Sequence, residues 1–252
     1  MGTATSRDGT RIAYESAGSG PPLILIDAAG HYRANSPLGE LADLLAADFT
    51  VHRYDRRGRG DSTDTLPYAP EREVEDLAAL IATVGGPASL YGYSSGCLLA
   101  LHAAAAGLDV HRLALLEPPL DPAEGSAEQR AFTTKLRELS GADAVTFFLT
   151  SIGVPEEMLA GMRGSPHWTA MVSVAHTLAY DSSLSEATTA GLLARAATPA
   201  LILGSAGSSD DLAGMAATAA ALLPNAVHRT LPGEWHQVPA TTLAPVVADF
   251  LR

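Results

Sequence analysis

The chain has a single cysteine, Cys97, among its 252 residues, so no internal disulfide can form and the fold must hold without covalent cross-links. Positive charge is also scarce. Sixteen Lys and Arg face 28 Asp and Glu, and the formal net charge of −12 argues against a nucleic-acid partner, which would need clustered cations on one face. The one basic cluster, "RYDRRGRGD" at 53–61, is short and interrupted by acids, and reads as a turn at a strand end. No apolar run approaches the length of a membrane span, and the start "MGTATSRDGTRIAY" lacks a charged segment followed by an apolar core. A soluble, cytoplasmic protein without membrane contact is therefore expected. Neither the 16 prolines nor the 23 glycines gather into a disordered tract, and no internal repeat is present.

What is present is regular alternation. "TRIAYE" after Asp8-Gly9 reads as the second strand of a hairpin, and "LILI" (23–26) as a strand buried on both faces of a parallel sheet. Leu38, Leu41 and Leu45 recur at helical spacing, "TVHRY" (50–54) is extended, and Val74, Leu77, Ile81 and Val84 mark a helix stopped by Gly85-Gly86-Pro87. The pattern continues through strands at "ASLY", "LALL", "ALIL" and "VHRTL", and ends in a helix carrying Leu243, Val247 and Phe250. Such alternation predicts an α/β fold with a mostly parallel sheet covered by helices on both faces. Between about 121 and 190 it lapses into three or four helices without a strand. These are expected to lie over the carboxyl edge of the sheet as a lid within one domain spanning 1–252. The last of them, "PHWTAMVSVAHTLAY", puts Trp168 and His176 on one helical face.

Between "ASLY" and an alanine-rich helix stands Gly92-Tyr93-Ser94-Ser95-Gly96, which fits G-x-S-x-G. A nucleophile on so sharp a strand-to-helix bend needs glycine two residues before and after it. Centring the pattern on Ser95 would require glycine at Tyr93 and Cys97, so Ser94 is the candidate. A capping serine in a tight turn is the plainer alternative. A serine hydroxyl needs a base, and His236 in "LPGEWHQVP", between the last strand and the last helix, returns to the same sheet edge. His52, His102, His111 and His228 fall in or beside regular elements and read as structural. Cys97 reads as a small core residue.

Serine elbow, inserted helices and a late histidine, in that order, resemble the α/β-hydrolase superfamily over essentially the whole chain. The resemblance implies an eight-stranded, mostly parallel sheet with a helical cap, and a Ser-acid-His site that uses no cofactor and no metal. Two departures follow. The family's acid usually stands three residues past a glycine in the segment that here reads "LILGSAGSSDDLAG", and that position is Gly207. A second family location, after the preceding strand, holds Glu117 in "LALLEPPLD"; Glu117 is favoured, Asp210 is the second choice and Asp121 an outsider. The family's His-Gly is replaced by Asp27-Ala28 in "LILIDAAGHY", which leaves the backbone N–H groups of Ala29 and Ser95 as the oxyanion donors. An ionised Asp27 would oppose a nearby oxyanion unless protonated or hydrogen-bonded away. Tyr93, His31 and Trp168 are candidates for the substrate pocket.

These residues point first to a hydrolase of a small, largely apolar ester, thioester or lactone. A lyase, cyclase or dehydratase using the same groups as acid and base, or a ligand-binding protein without catalysis, are the alternatives. The partner in each case is a small molecule.

Overall fold

The computed structural model describes residues 1–120 and 126–252. Asp121 and the expected start of the lid lie outside the described residues. Strands β1 (Gly2–Thr5) and β2 (Arg11–Ala17) form the hairpin, with Gly9 at φ 86° in its turn and Thr10 N–H donating to Asp8 Oδ1 at 3.0 Å. There follow β3 (Pro22–Ile26), α1 (Gly39–Leu45), β4 (Thr50–Tyr54), α2 (Pro70–Val84), β5 (Ala88–Tyr93), α3 (Ser95–Ala105) and β6 (Val110–Leu116). After six helices, β7 (Ala200–Ser205), α10 (Asp210–Leu222), β8 (Ala226–Leu231) and α11 (Ala240–Leu251) complete the chain. The six are α4 (Ala127–Glu138), α5 (Gly141–Ser151), α6 (Glu156–Met162), α7 (Pro166–Ser173), α8 (Leu178–Ala187) and α9 (Ala190–Leu193).

The eight strands form one sheet in the order β1-β2-β4-β3-β5-β6-β7-β8, antiparallel at β1–β2 and β2–β4 and parallel from β4 onward. The uninterrupted apolar strands feed two cores at once, because successive side chains point to opposite faces. Ile24 and Ile26 pack with Leu77, Leu99 and Ala216 under α2, α3 and α10, while Leu23 and Leu25 pack with Leu41 and Val247 under α1 and α11. β6 and β7 divide in the same way, Leu113 and Ile202 to the first core and Leu116 and Leu203 to the second. Burying an aliphatic side chain of this size contributes about 1.5–3 kcal/mol. The central strands are therefore firmly placed, and their carboxyl ends offer a rigid platform.

One helix expected from the sequence is broken, and one expected turn proves to be buried. The stretch 166–180 is not one helix: α7 ends at Ser173, Ala175–Thr177 form a 3-10 turn, and α8 starts anew at Leu178. Thr177 Oγ1 donates to the Val174 carbonyl at 2.7 Å, the kind of local side-chain bond that competes with helix continuation. Trp168 and His176 consequently do not share a helical face. Trp168 is buried among Ala29, Met171 and Leu178, whereas His176 is half exposed, 3.6 Å from Asp64. The basic cluster does form a turn past the end of β4, as the sequence reads, but its arginines are not left in solvent. Arg56, Arg57 and Arg59 are almost wholly buried, in ion pairs with Glu73, Asp181, Asp76 and Asp8.

Candidate active site

The elbow is built by contact with its neighbours. A Cβ at Gly92 would stand 2.7 Å from Cys97 Cα, and one at Gly96 would stand 2.3 Å from the Ile26 carbonyl oxygen. Neither space admits a side chain. Ser94 bridges β5 and α3 at φ 51°, ψ −121°, fixed by its N–H donating to Leu116 O at 2.9 Å and its carbonyl accepting from Cys97 N–H at 2.9 Å. Three non-glycine residues among those described have positive φ: Ser94, Glu117 and His236, at 51°, 52° and 52°. Such backbone costs on the order of 1–3 kcal/mol each and clusters at functional sites. All three stand beyond strand ends, after β5, β6 and β8.

Glu117 and His236 meet directly, Oε2 to Nδ1 at 2.6 Å. The other carboxylate oxygen accepts Ser205 N–H at 2.8 Å. Burial by itself would raise the Glu117 carboxyl, but hydrogen bonds from His236, Ser208 and Ser205 outweigh it and hold the group below the usual glutamate value. His236 is fixed at its backbone too: its N–H donates to Ser208 Oγ at 2.9 Å, and its carbonyl accepts the Tyr93 hydroxyl at 2.8 Å. With Nδ1–H given to a carboxylate, Nε2 is left as the basic nitrogen. The Ser94 hydroxyl makes no hydrogen bond among the described residues, and it lines the same cavity as His236.

Asp210 is exposed at the start of α10, and it is Glu117 rather than Asp210 that pairs with His236. The vacant family position also has a steric cause. A Cβ at Gly207 would lie 2.5 Å from the Gly233 carbonyl oxygen, so that turn has no room for a carboxylate.

On the opposite wall, neither the Ala29 nor the Ser95 N–H has a hydrogen-bond acceptor among the described residues, and both residues border the cavity. Asp27 is turned away: its Oδ1 accepts the Ser36 hydroxyl at 2.8 Å, and burial lifts its pKa to about 6 against the pull of Ser36 and three arginines. The cavity measures about 580 Å³. Its apolar walls come from Leu98, Phe132, Phe148, Met215 and Trp235, and its polar walls include Gln129, Ser182, Asp181 and Asp211.

The three residues expected in the pocket are engaged elsewhere than in the cavity lining. Tyr93 stacks at a tilt on His236, 5.2 Å between ring centres, and holds its backbone. His31 donates from Nδ1 to the Ala29 carbonyl at 2.9 Å, and burial together with His167 pushes it down to about 4, so it is neutral at pH 7. Trp168 belongs to the core of the inserted helices. Four neighbours were absent from the sequence reading: Ser205 and Ser208, which hold the acid and the histidine, and Asp181 and Trp235 in the cavity wall. Cys97 is buried, its thiol donating to the Gly92 and Leu116 carbonyls, and burial raises its pKa. No group of three or more His, Cys, Asp or Glu among the described residues is arranged to hold a metal ion, and none of their helices is long and apolar enough to cross a membrane.

Sheet order, elbow and cavity define a hydrolase-type α/β fold, and the chain belongs to the alpha/beta hydrolase family, which it matches over residues 17–249. It is similar along 100% of both chains to an alpha/beta hydrolase from Sphaerobacter thermophilus, with 41% identity and a TM-score of 0.87. An enol-lactonase from Burkholderia xenovorans shares the fold at 22% identity and a TM-score of 0.77, with 99% of each chain covered. The curated relative "Putative non-heme bromoperoxidase BpoC" of Mycobacterium tuberculosis is 30% identical over 90 residues, which span 35% of this chain and 34% of that protein's length.

Proposed function

We propose that this protein is a serine hydrolase of small, largely apolar esters, thioesters or lactones, working through an acyl-enzyme. Ser94 attacks the carbonyl carbon while Nε2 of His236 takes its proton, and Glu117 steadies the imidazolium that forms. The Ala29 and Ser95 N–H groups receive the oxyanion. His236 then returns the proton to the leaving oxygen or sulfur, and a water activated by the same imidazole releases the acid. Helices α4–α8 act as a lid, whose phenylalanines Phe132 and Phe148 favour an apolar acyl group. A soluble, cytoplasmic setting and a small-molecule partner remain part of this reading.

The observation that carries it is the 2.6 Å contact between Glu117 and His236 beside a cavity that Ser94 also lines. The rival lyase, cyclase or dehydratase chemistry drew its motive from Asp27 and the displaced acid; the Ser36 hydrogen bond to Asp27 and the Glu117–His236 contact support the hydrolase reading over it. Turnover of p-nitrophenyl butyrate tests the proposal: wild type is expected to hydrolyse it, and Ser94→Ala to lose at least about 10⁴-fold in kcat with an unchanged circular dichroism spectrum. Near-normal turnover by folded Ser94→Ala would refute it.

A further inference from the structure

Behind the two oxyanion donors lies a buried ionic assembly that the proposed reaction does not itself use. Arg59 is 1% exposed. Its Nη1 donates to the carbonyls of Ala28 at 2.8 Å and His31 at 3.2 Å, and its Nη2 donates to Asp181 Oδ2 at 2.6 Å. The other oxygen of Asp181 accepts from Arg56 Nη1 at 2.6 Å and from the Ser95 hydroxyl at 2.7 Å. Asp181 is 3% exposed, sits on α8 and forms part of the cavity wall.

Stability alone is a poor reason for this arrangement. Buried ion pairs cost several kcal/mol per ion in desolvation, and apolar replacements of equal volume often do as well. Geometry supplies a better one. The Ala28–Ala29 peptide is trans, so its carbonyl and its N–H point in opposite directions from one rigid plane. A cation that grips the Ala28 oxygen therefore fixes where the Ala29 N–H points. By drawing electron density toward that oxygen it also makes the N–H a stronger donor. Asp181 completes the link, since one carboxylate holds both Arg59 and the side chain of Ser95, the residue that carries the second donor.

We propose that Arg59 is a positioning residue for the Ala29 N–H, and that Asp181 locks helix α8 to both oxyanion donors at once. The proposal rests on the hydrolase reading above. It predicts that disturbing the assembly weakens transition-state stabilisation and leaves ground-state binding alone, because the oxyanion exists only after attack.

The test uses the full chain with p-nitrophenyl butyrate, reading kcat, KM and Tm for Arg59→Lys and Ser95→Ala. Lysine keeps the charge but lacks the fork that spans carbonyl and carboxylate. Its kcat is expected to fall about 10- to 100-fold with KM within about threefold. Ser95→Ala removes a single hydrogen bond and is expected to lose about 5-fold in kcat at constant KM and nearly constant Tm. Folded variants with wild-type kcat, or losses that appear in KM instead, would overturn the proposal. Should Arg59→Lys fail to fold, Ser95→Ala decides alone by the same criterion. A wild type that turns over no ester and takes no fluorophosphonate label overturns the hydrolase reading and this proposal with it, whereas an active, labelled wild type with unaffected variants overturns this proposal only.

Discussion

Nδ1 of His236 lies 2.6 Å from Oε2 of Glu117, although 119 positions separate the two residues in the chain. The contact joins the loop after β8 to the residue just past β6, with β7 running between those strands. Ser205, at the end of β7, fills the gap by giving its N–H to the carboxylate. One strand end from each of three neighbours thus fixes the pair.

Glu117→Gln should therefore keep the fold and lose the chemistry. An amide at this position can offer Nδ1 a donor as readily as an acceptor, so the imidazole loses its enforced tautomer. A fall in kcat of about 10³- to 10⁴-fold is expected, with a wild-type circular dichroism spectrum and a somewhat lower melting temperature, since the ionised carboxylate contributes stability at neutral pH. Steady-state kinetics and a melting curve check both halves.

Restoring the family's usual acid should fail. Gly207→Asp in a Glu117→Gln background sets a Cβ against the Gly233 carbonyl, 2.5 Å away. The double variant is expected to recover no activity and to lose roughly 1–3 kcal/mol in urea unfolding. Recovery of turnover would show that the loop can move to accommodate the carboxylate.

The elbow glycines are equally exacting. Gly96→Ala drives a methyl to within 2.3 Å of the Ile26 carbonyl oxygen, a backbone atom that can retreat only by moving β3. Destabilisation of about 1–3 kcal/mol together with a large loss of activity is expected. Urea melts with parallel ester assays measure both.

Asp27 gives a pH signature. Its folded pKa of about 6 lies above the unfolded carboxyl value of 3.8, so between those pH values the native state binds more protons and stability falls as pH rises. Above pH 6 the penalty is complete, on the order of 3 kcal/mol at 1.36 kcal/mol per unit. Asp27→Asn, which can still accept the Ser36 hydrogen bond, should remove that slope. Denaturation at pH 4, 5, 6 and 7 is expected to show the variant gaining on wild type with rising pH.

Glu117 contributes with the opposite sign. Its carboxyl is held below the usual glutamate value, so the stability it adds is present above the unfolded pKa and is lost as pH falls through the folded one. Glu117→Gln should therefore flatten the acid limb of the stability profile, below about pH 4.3, and leave the neutral region unaltered in slope. Acid titrations of wild type and variant followed by circular dichroism provide the comparison.

What the sequence displayed was whatever depends on near neighbours. Gly92 and Gly96 flank Ser94 because the bend itself excludes side chains, and the apolar runs at 23–26 and 113–116 are continuous because each strand feeds two cores. Glu117 was singled out only through the resemblance, which puts a second acid location after that strand. The supports were not. Ser205 and Ser208 are ordinary residues in a serine-rich loop, and nothing local shows that they face a carboxylate. The burial of Arg56 depends on Glu73 and Asp181, 17 and 125 positions away, so the sequence shows the arginine turn but not its ion pairs. Trp168 packs in the core of the inserted helices, and the shared face with His176 fails because the turn at Ala175–Thr177 breaks the helix between them.

The most direct measurement is the mapping of a fluorophosphonate adduct by peptide mass spectrometry, on wild type and on folded His236→Ala. The account predicts a single modified residue, Ser94, and labelling slowed by several orders of magnitude when the imidazole is removed. Modification at Ser95 or elsewhere, or equal rates in the two proteins, would contradict it.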